Sequence, residues 1–312
     1  MKSGSRFERI LKSGQFALTG ELGPPRGADA EAVRKKARLL AGMVDAVNIT
    51  DNQTAVVRMS SLGACVIAMQ AGLEPVYQMV CRDRNRIAMQ SDILGAAALG
   101  VRNMLCLSGD HQKFGDHPGC KKVFDLDSVQ LLAMVKAMRD ESRFQSGAEI
   151  TVPPRMFIGA AANPFAEPHA FRVMRLAKKA TSGADFIQTQ CVYNMERFRT
   201  WLGQARDMGL TEKVYILAGV TPLKSLGMAR YMQSSVPGMD VPQELIQRLQ
   251  GVEKKDQARE GIAICCEQIQ QLREMEGLAG IHLMAIEWEH RVPEIVQQAG
   301  LLPRPEPEPE QE

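Results

Sequence analysis

Phe16-Ala17-Leu18-Thr19-Gly20-Glu21-Leu22-Gly23 is an apolar run that ends near a carboxylate and is closed by Pro24-Pro25. Its length and content suit a buried strand, and two prolines cannot continue a ladder of backbone hydrogen bonds. Beyond them Asp29 stands where a helix N-cap belongs, ahead of Val33, Ala37 and Leu40 on one helical face. The same strand-then-helix unit recurs along the chain. Further strands are expected at 46–51, 75–82, 103–109, 156–163, 185–193, 213–220 and 280–287. Helices are expected at 55–71, 86–99, 127–139, 168–182, 195–208, 224–232 and 292–299, with Gly100 as the stop of one of them. Residues 236–276, rich in Glu, Gln, Lys and Arg, read as a helical insertion before strand eight.

Eight such units with no break in composition favour an α/β fold in which the sheet closes: a single (β/α)8 TIM barrel over residues 1–302. An open doubly wound sheet is the runner-up. Residues 303–312 alternate Pro and Glu, have little to bury, and are expected to be a disordered tail.

Composition removes several function classes. The 38 basic and 36 acidic residues leave a net charge of +2 spread along the chain, which gives no basic stripe for nucleic acid. No apolar run reaches the ~20 residues that span a bilayer, and residues 1–15 lack the apolar core of a signal peptide. Seven cysteines without Cys-x-x-Cys spacing read as reduced thiols, mostly small core residues, in a cytoplasmic protein. The dinucleotide glycine fingerprint, the P-loop, the zincin helix and the serine-hydrolase elbow are all missing. His111, Asp116, His117 and Cys120 crowd one loop without metal-ligand spacing, so no metal is assigned.

In a barrel of this kind the chemistry sits at the C-terminal ends of the strands. Those ends carry Glu21, Thr50-Asp51-Asn52, Gln78, Ser108-Gly109-Asp110-His111, Asn163, Gln188, Gln190, Tyr193 and Glu287. Such a set would form a polar rim around one mouth.

The ordered motifs resemble one family. Gly20-Glu21-Leu22-Gly23-Pro24-Pro25-Arg26 is similar to the first-strand motif of the methylenetetrahydrofolate reductases. Asn48-Ile49-Thr50-Asp51-Asn52, Cys81-Arg82-Asp83-Arg84-Asn85, Leu107-Ser108-Gly109-Asp110, Gly159-Ala160-Ala161-Ala162-Asn163-Pro164, Gly183-Ala184-Asp185 and Thr189-Gln190 follow in the family's order, over about residues 10–302. The resemblance implies a flavin enzyme that reduces 5,10-methylenetetrahydrofolate to 5-methyltetrahydrofolate. It implies FAD across the barrel mouth, with FMN as the alternative, and hydride passing from N5 of the reduced flavin to the one-carbon unit. Glu21 matches the general acid that protonates folate N10 as the ring opens, a task suited to an enclosed glutamate. Asp110 matches the carboxylate near flavin and pterin, and Gln190 the glutamine that bonds folate. Thr50, Gln78, Ser108, Gly109, Asp110, Asn163 and Lys179 match flavin contacts, Lys179 as a partner for a pyrophosphate oxygen.

The chain also departs from the family pattern. Gln78 stands for a common histidine, Ser108 for an arginine that would grip FAD, and Met228 for a glutamine. Ala285-Ile286-Glu287-Trp288 offers no arginine for the folate tail. Three readings therefore stay open: a complete enzyme fed by NAD(P)H, a reductase subunit fed by a redox partner protein, and a flavin-free folate-binding barrel. Self-association into a homo-oligomer is frequent in the family and leaves no mark in this sequence.

Overall fold

A computed structural model describes residues 1–236 and 238–307. Eight strands run in chain order: β1 (Ala17–Leu22), β2 (Ala46–Ile49), β3 (Pro75–Val80), β4 (Asn103–Leu107), β5 (Phe157–Ala162), β6 (Phe186–Cys191), β7 (Tyr215–Val220) and β8 (Gly280–Leu283). Each pairs in parallel with the next, and β8 returns to β1 through Ala17–Gly280 and Thr19–His282, so the sheet closes into a barrel. The expected (β/α)8 class is the one observed.

Eleven α-helices are described: α1 (Arg6–Lys12), α2 (Ala30–Leu40), α3 (Ser61–Gln70), α4 (Arg86–Ala98), α5 (Ser128–Asp140), α6 (Arg172–Thr181), α7 (Met195–Asp207), α8 (Leu226–Ser235), α9 (Gln243–Gln250), α10 (Gln257–Arg273) and α11 (Val292–Gln298). Local chemistry fixes their starts. Asp29 caps α2 through the N–H groups of Glu31 and Ala32, and Asp127 with Gln130 forms a reciprocal capping box on α5. The helix expected from residue 55 begins only at Ser61. Asn52, Thr54 and Ala55 hold positive φ, which no right-handed helix accommodates, and Ser60 supplies the cap.

The insertion expected over 236–276 contains α9 and α10, and α10 does more than decorate. Ile262, Cys265, Ile269 and Leu272 are buried in the main core, so α10 covers the β7–β8 crossing as a barrel helix must. Gly261 permits this approach, because a Cβ there would lie 1.8 Å from the Leu223 carbonyl oxygen. Strand eight ends at Leu283 instead of continuing to Glu287, since the Trp288 N–H turns back to the Ala285 carbonyl.

The period of two along each strand separates two cores. Outward residues such as Leu18, Ile49, Met79, Ile187 and Ile281 pack under the helices. Inward residues at the N-terminal end of the barrel, Ala17, Ala46, Val76, Leu105, Phe157, Phe186 and Leu217, form a floor closed from below by Phe7, Ile10 and Leu11 of α1. Phe7 meets Phe157 and Phe186 edge-on at centroid distances of 5.8 and 5.1 Å. Gly159 leaves room for the Phe186 ring, whose atoms would lie 2.2 Å from a Cβ at that position.

Around the floor, buried ions tie the chain together. Asp45 accepts hydrogen bonds from Leu18 N–H, Arg6 and Arg304. Arg304 belongs to the stretch expected to be disordered, yet its side chain is buried and also donates to the Phe16 and Leu301 carbonyls. The tail is thus anchored at its head by an ion pair that its Pro-Glu repeat conceals, while 308–312 lie outside the described residues. Cys65, Cys81, Cys106, Cys191 and Cys265 are buried, as expected of small core residues. Among the described residues no helix is long and apolar enough to cross a membrane.

Candidate active site at the barrel mouth

Above the apolar floor the inward residues turn polar. Thr19 and Glu21 on β1, Asn48 on β2, Gln78 on β3, Gln188 on β6 and His282 on β8 all occupy inward positions of their strands. Asn48 and Gln188 exchange two side-chain hydrogen bonds of 2.6 and 3.0 Å. Gln188 Nε2 also donates to Thr19 Oγ1 at 3.0 Å, and Thr19 Oγ1 lies 2.9 Å from His282 Nδ1. His282 Nε2 then faces Glu21 Oε2 at 3.8 Å. A row of amide, hydroxyl, imidazole and carboxyl groups thus crosses the barrel interior and ends at Glu21, whose side chain is 10% exposed. Because Thr19 already accepts from Gln188, its own proton is available to His282 Nδ1. That arrangement would leave Nε2–H pointing at the carboxyl.

Glu21, Asn48, Gln78, Gln188 and His282 border a cavity of about 360 Å³ at the C-terminal ends of the strands. Leu105, Leu107, Ala161, Ala162 and Met284 give it an apolar wall. Thr189 and Gln190, although adjacent in sequence, both line it, because β6 slips its register against β7 between Gln188 and Cys191. On the far side from Glu21 three cations from α6 reach the wall: Arg172, Arg175 and Lys179. Lys179 donates to the Ala161 carbonyl. Burial, reinforced by the neighbouring Arg175 charge, lowers its ammonium to a pKa of about 8.

The structure brings together six of the residues singled out from sequence: Glu21, Gln78, Asn163, Lys179, Gln188 and Gln190. Asn163 has a local task as well, its Oδ1 accepting from the Phe165 and Ala166 N–H groups in an Asx turn. Thr50, Ser108, Gly109 and Asp110 stand on the rim outside the cavity lining. Thr50 is buried with no hydrogen-bond partner for its hydroxyl. Ser108 Oγ accepts from Ser128 N–H at the start of α5. Gly109 adopts φ +88°, and Asp110 is exposed, its carbonyl held by Arg82. Thr19, Asn48, His282, Arg172 and Arg175 escaped the strand-end rule. The first three lie one pleat deeper, and the arginines stand on a helix. A polar residue at inward parity in an otherwise apolar strand, as in Gly280-Ile281-His282-Leu283, is the signal that finds the deeper group.

A closed parallel barrel with a half-enclosed cavity, a carboxyl–imidazole pair on one side and cations on the other, defines a small-molecule site of the barrel-enzyme class. The chain belongs to the methylenetetrahydrofolate reductase family, whose model matches residues 6–300. Among curated relatives, a Caenorhabditis elegans protein described as "Probable methylenetetrahydrofolate reductase (NADPH)" is 24% identical over 95% of this chain and 44% of its own length. "Methylenetetrahydrofolate reductase 2" of Schizosaccharomyces pombe is 24% identical over 72% of this chain and 35% of its own. The chain therefore spans less than half the length of these relatives. Among solved structures, a Clostridium thermocellum protein described as binding two copies of 5-methyl-5,6,7,8-tetrahydrofolic acid has the same fold. It aligns with a TM-score of 0.61 and 14% identity over 96% of this chain and 99% of its own.

Proposed function

We propose that the protein reduces 5,10-methylenetetrahydrofolate to 5-methyltetrahydrofolate with a bound flavin. The observation that carries this reading is Glu21, enclosed at the barrel mouth and backed by His282, in a chain of this family. The residues present fit a flavin. The apolar wall can receive a flat ring, Gln78 and Gln190 can bond its polar edge, and the α6 cations offer a place for phosphate. The buried Thr50 hydroxyl lacks a partner near the same rim. When bound, the flavin supplies the hydride.

The chain's own residues then have separable tasks. Glu21 delivers a proton to folate N10 while the bond from N10 to the methylene carbon breaks, and the electron pair of that bond stays on N10. The methylene carbon, left as an iminium on N5, takes the hydride and becomes the methyl group. Asp110 is assigned an electrostatic part, its negative charge on the rim favouring the transient cation. Gln190 orients the pterin. His282 acts through Glu21 as a positioning residue, with Thr19 and Gln188 fixing its ring. His282→Gln is expected to lower kcat by up to about a hundredfold with little change in KM. The loss should fall on reoxidation of the prereduced protein by methylenetetrahydrofolate and spare flavin binding and flavin reduction. An unchanged reoxidation rate would remove His282 from the relay.

The reading is tested by the visible spectrum of the protein under anaerobic conditions. A flavin spectrum that returns to its oxidised form on addition of methylenetetrahydrofolate, after reduction by NADH, NADPH or dithionite, is the expected result. Which reductant works identifies the donor. A protein that stays colourless after incubation with FAD and FMN would overturn the reading.

A further inference from the structure

Two hollows open beside Glu21. One is the main cavity. The other, with an enclosed volume of about 30 Å³, lies over the end of β1, between the loops that follow β2 and β8. The cations on the loops and helices around it are mostly spent. Lys36 pairs with Glu289 at 2.6 Å, Arg26 with Asp116, and Arg291 with Glu294. Arg58, on the β2 loop, differs: among the described residues no carboxylate pairs with it. Its backbone is fixed, because its own N–H donates to Asn52 Oδ1 and the N–H of Met59 to the Pro25 carbonyl. Its guanidinium donates from Nη1 to the Pro24 carbonyl at 3.2 Å, and its Nε is buried without a partner. Such a half-buried guanidinium has lost water without gaining an anion and still has donors to offer.

The reaction proposed above decides what comes to lie here. If Glu21 protonates folate N10, N10 sits within hydrogen-bonding reach of it. N10 also carries the aminobenzoyl ring, and that ring carries glutamate through an amide. The tail of the substrate therefore starts beside Glu21 and leaves through an opening that adjoins it. The second hollow has Glu21 in its wall and chemistry that matches the tail. Ile286 is exposed and can meet an aryl face, the Gln53 carboxamide can bond the amide link, and Arg58 can take a carboxylate. One water needs about 10–15 Å³ of enclosed space, so the hollow has room for a carboxylate and leaves the ring at its opening. Two other carboxylates line the hollow. Glu289 is neutralised by Lys36, and Glu287 is exposed, where water and salt screen its charge more than that of the half-buried Arg58.

We propose that Arg58 anchors the glutamate carboxylate of the folate tail and so makes the site prefer folates to pteroates, which lack the glutamate. The inference rests on the reading of Glu21 as the acid at N10 and adds the group that holds the other end of the substrate. Arg58 acts far from the reacting atoms, so its contact is the same in the ground and transition states.

Calorimetric titration of the protein with 5-methyltetrahydrofolate and with 5-methyltetrahydropteroate tests it without need of turnover. The parent chain is expected to bind the folate at least about tenfold more tightly than the pteroate. Added salt should erode that preference. In Arg58→Gln the preference should fall to within about threefold, while the pteroate binds as to the parent, which also shows that the variant is folded. During turnover the same variant should raise KM for methylenetetrahydrofolate about tenfold and leave kcat nearly unchanged, as expected for loss of a uniform binding contact. Equal affinity of the parent for the two compounds, or an undiminished preference in Arg58→Gln, would overturn the anchor and leave the folate reading standing. A fall in kcat with KM unchanged would overturn it as well, since Arg58 would then act on the chemistry. Failure of the parent to bind either compound would overturn the folate reading together with the anchor.

Discussion

Glu21→Gln is expected to take up flavin and accept electrons into it, and to deliver almost none to methylenetetrahydrofolate. The amide keeps the shape and much of the hydrogen bonding of the carboxyl but cannot release a proton to N10. Without that proton the ring-opened cation forms slowly. The loss of a positioned general acid costs about 10²–10⁴ in turnover. The measurement is the rate at which prereduced protein is reoxidised by methylenetetrahydrofolate, mixed rapidly without oxygen. Flavin content and the rate of flavin reduction serve as controls within the same sample. Reoxidation within threefold of the parent rate would take the proton away from Glu21. It would also leave the enclosed carboxyl beside His282 without a chemical task.

The second large effect concerns stability. Phe7→Ala removes a fully buried ring from the floor of the barrel, where it stands between Phe157 and Phe186. The helix that carries it has seven residues, too few to hold a helix on its own, so α1 depends on this contact as much as the barrel does. A cavity left by a phenylalanine costs about 3–5 kcal/mol. Chemical denaturation should show a lower midpoint with the slope preserved, and Phe7→Leu should recover most of the loss. A midpoint equal to that of the parent would mean that α1 lies on the barrel without sealing it.

The strands were legible because a parallel sheet covered on both faces reads as a series of short apolar runs, and each was followed by a cap or a turn residue. The short helix α1 was not. Phe7, Ile10 and Leu11 stand among Lys, Ser, Arg and Glu, and only the closed barrel shows what they face. At the site, strand-end logic and family resemblance found Glu21, Gln78, Asn163, Lys179, Gln188 and Gln190, which do come together. Thr19, Asn48 and His282 were hidden by the same logic, since it looked at the rim and not at the pleat beneath. Arg172 and Arg175 were not singled out, since they stand on a helix and not at a strand end. Nothing local tells that they line the cavity beside Ala161 and Ala162 of β5.

The seam between the first and last strands has a consequence for how the molecule is made. Thr19 and His282, which touch, are 263 residues apart, and Glu21 meets His282 across the same seam. During synthesis at ~5–20 residues per second the first strand therefore waits many seconds for its neighbour. Until β8 arrives, β1 has one open edge and Glu21 has no imidazole beside it. The Glu21–His282 pair comes into being only with the final closure of the sheet, so on the function proposed above a partly folded chain would be inert as well as incomplete.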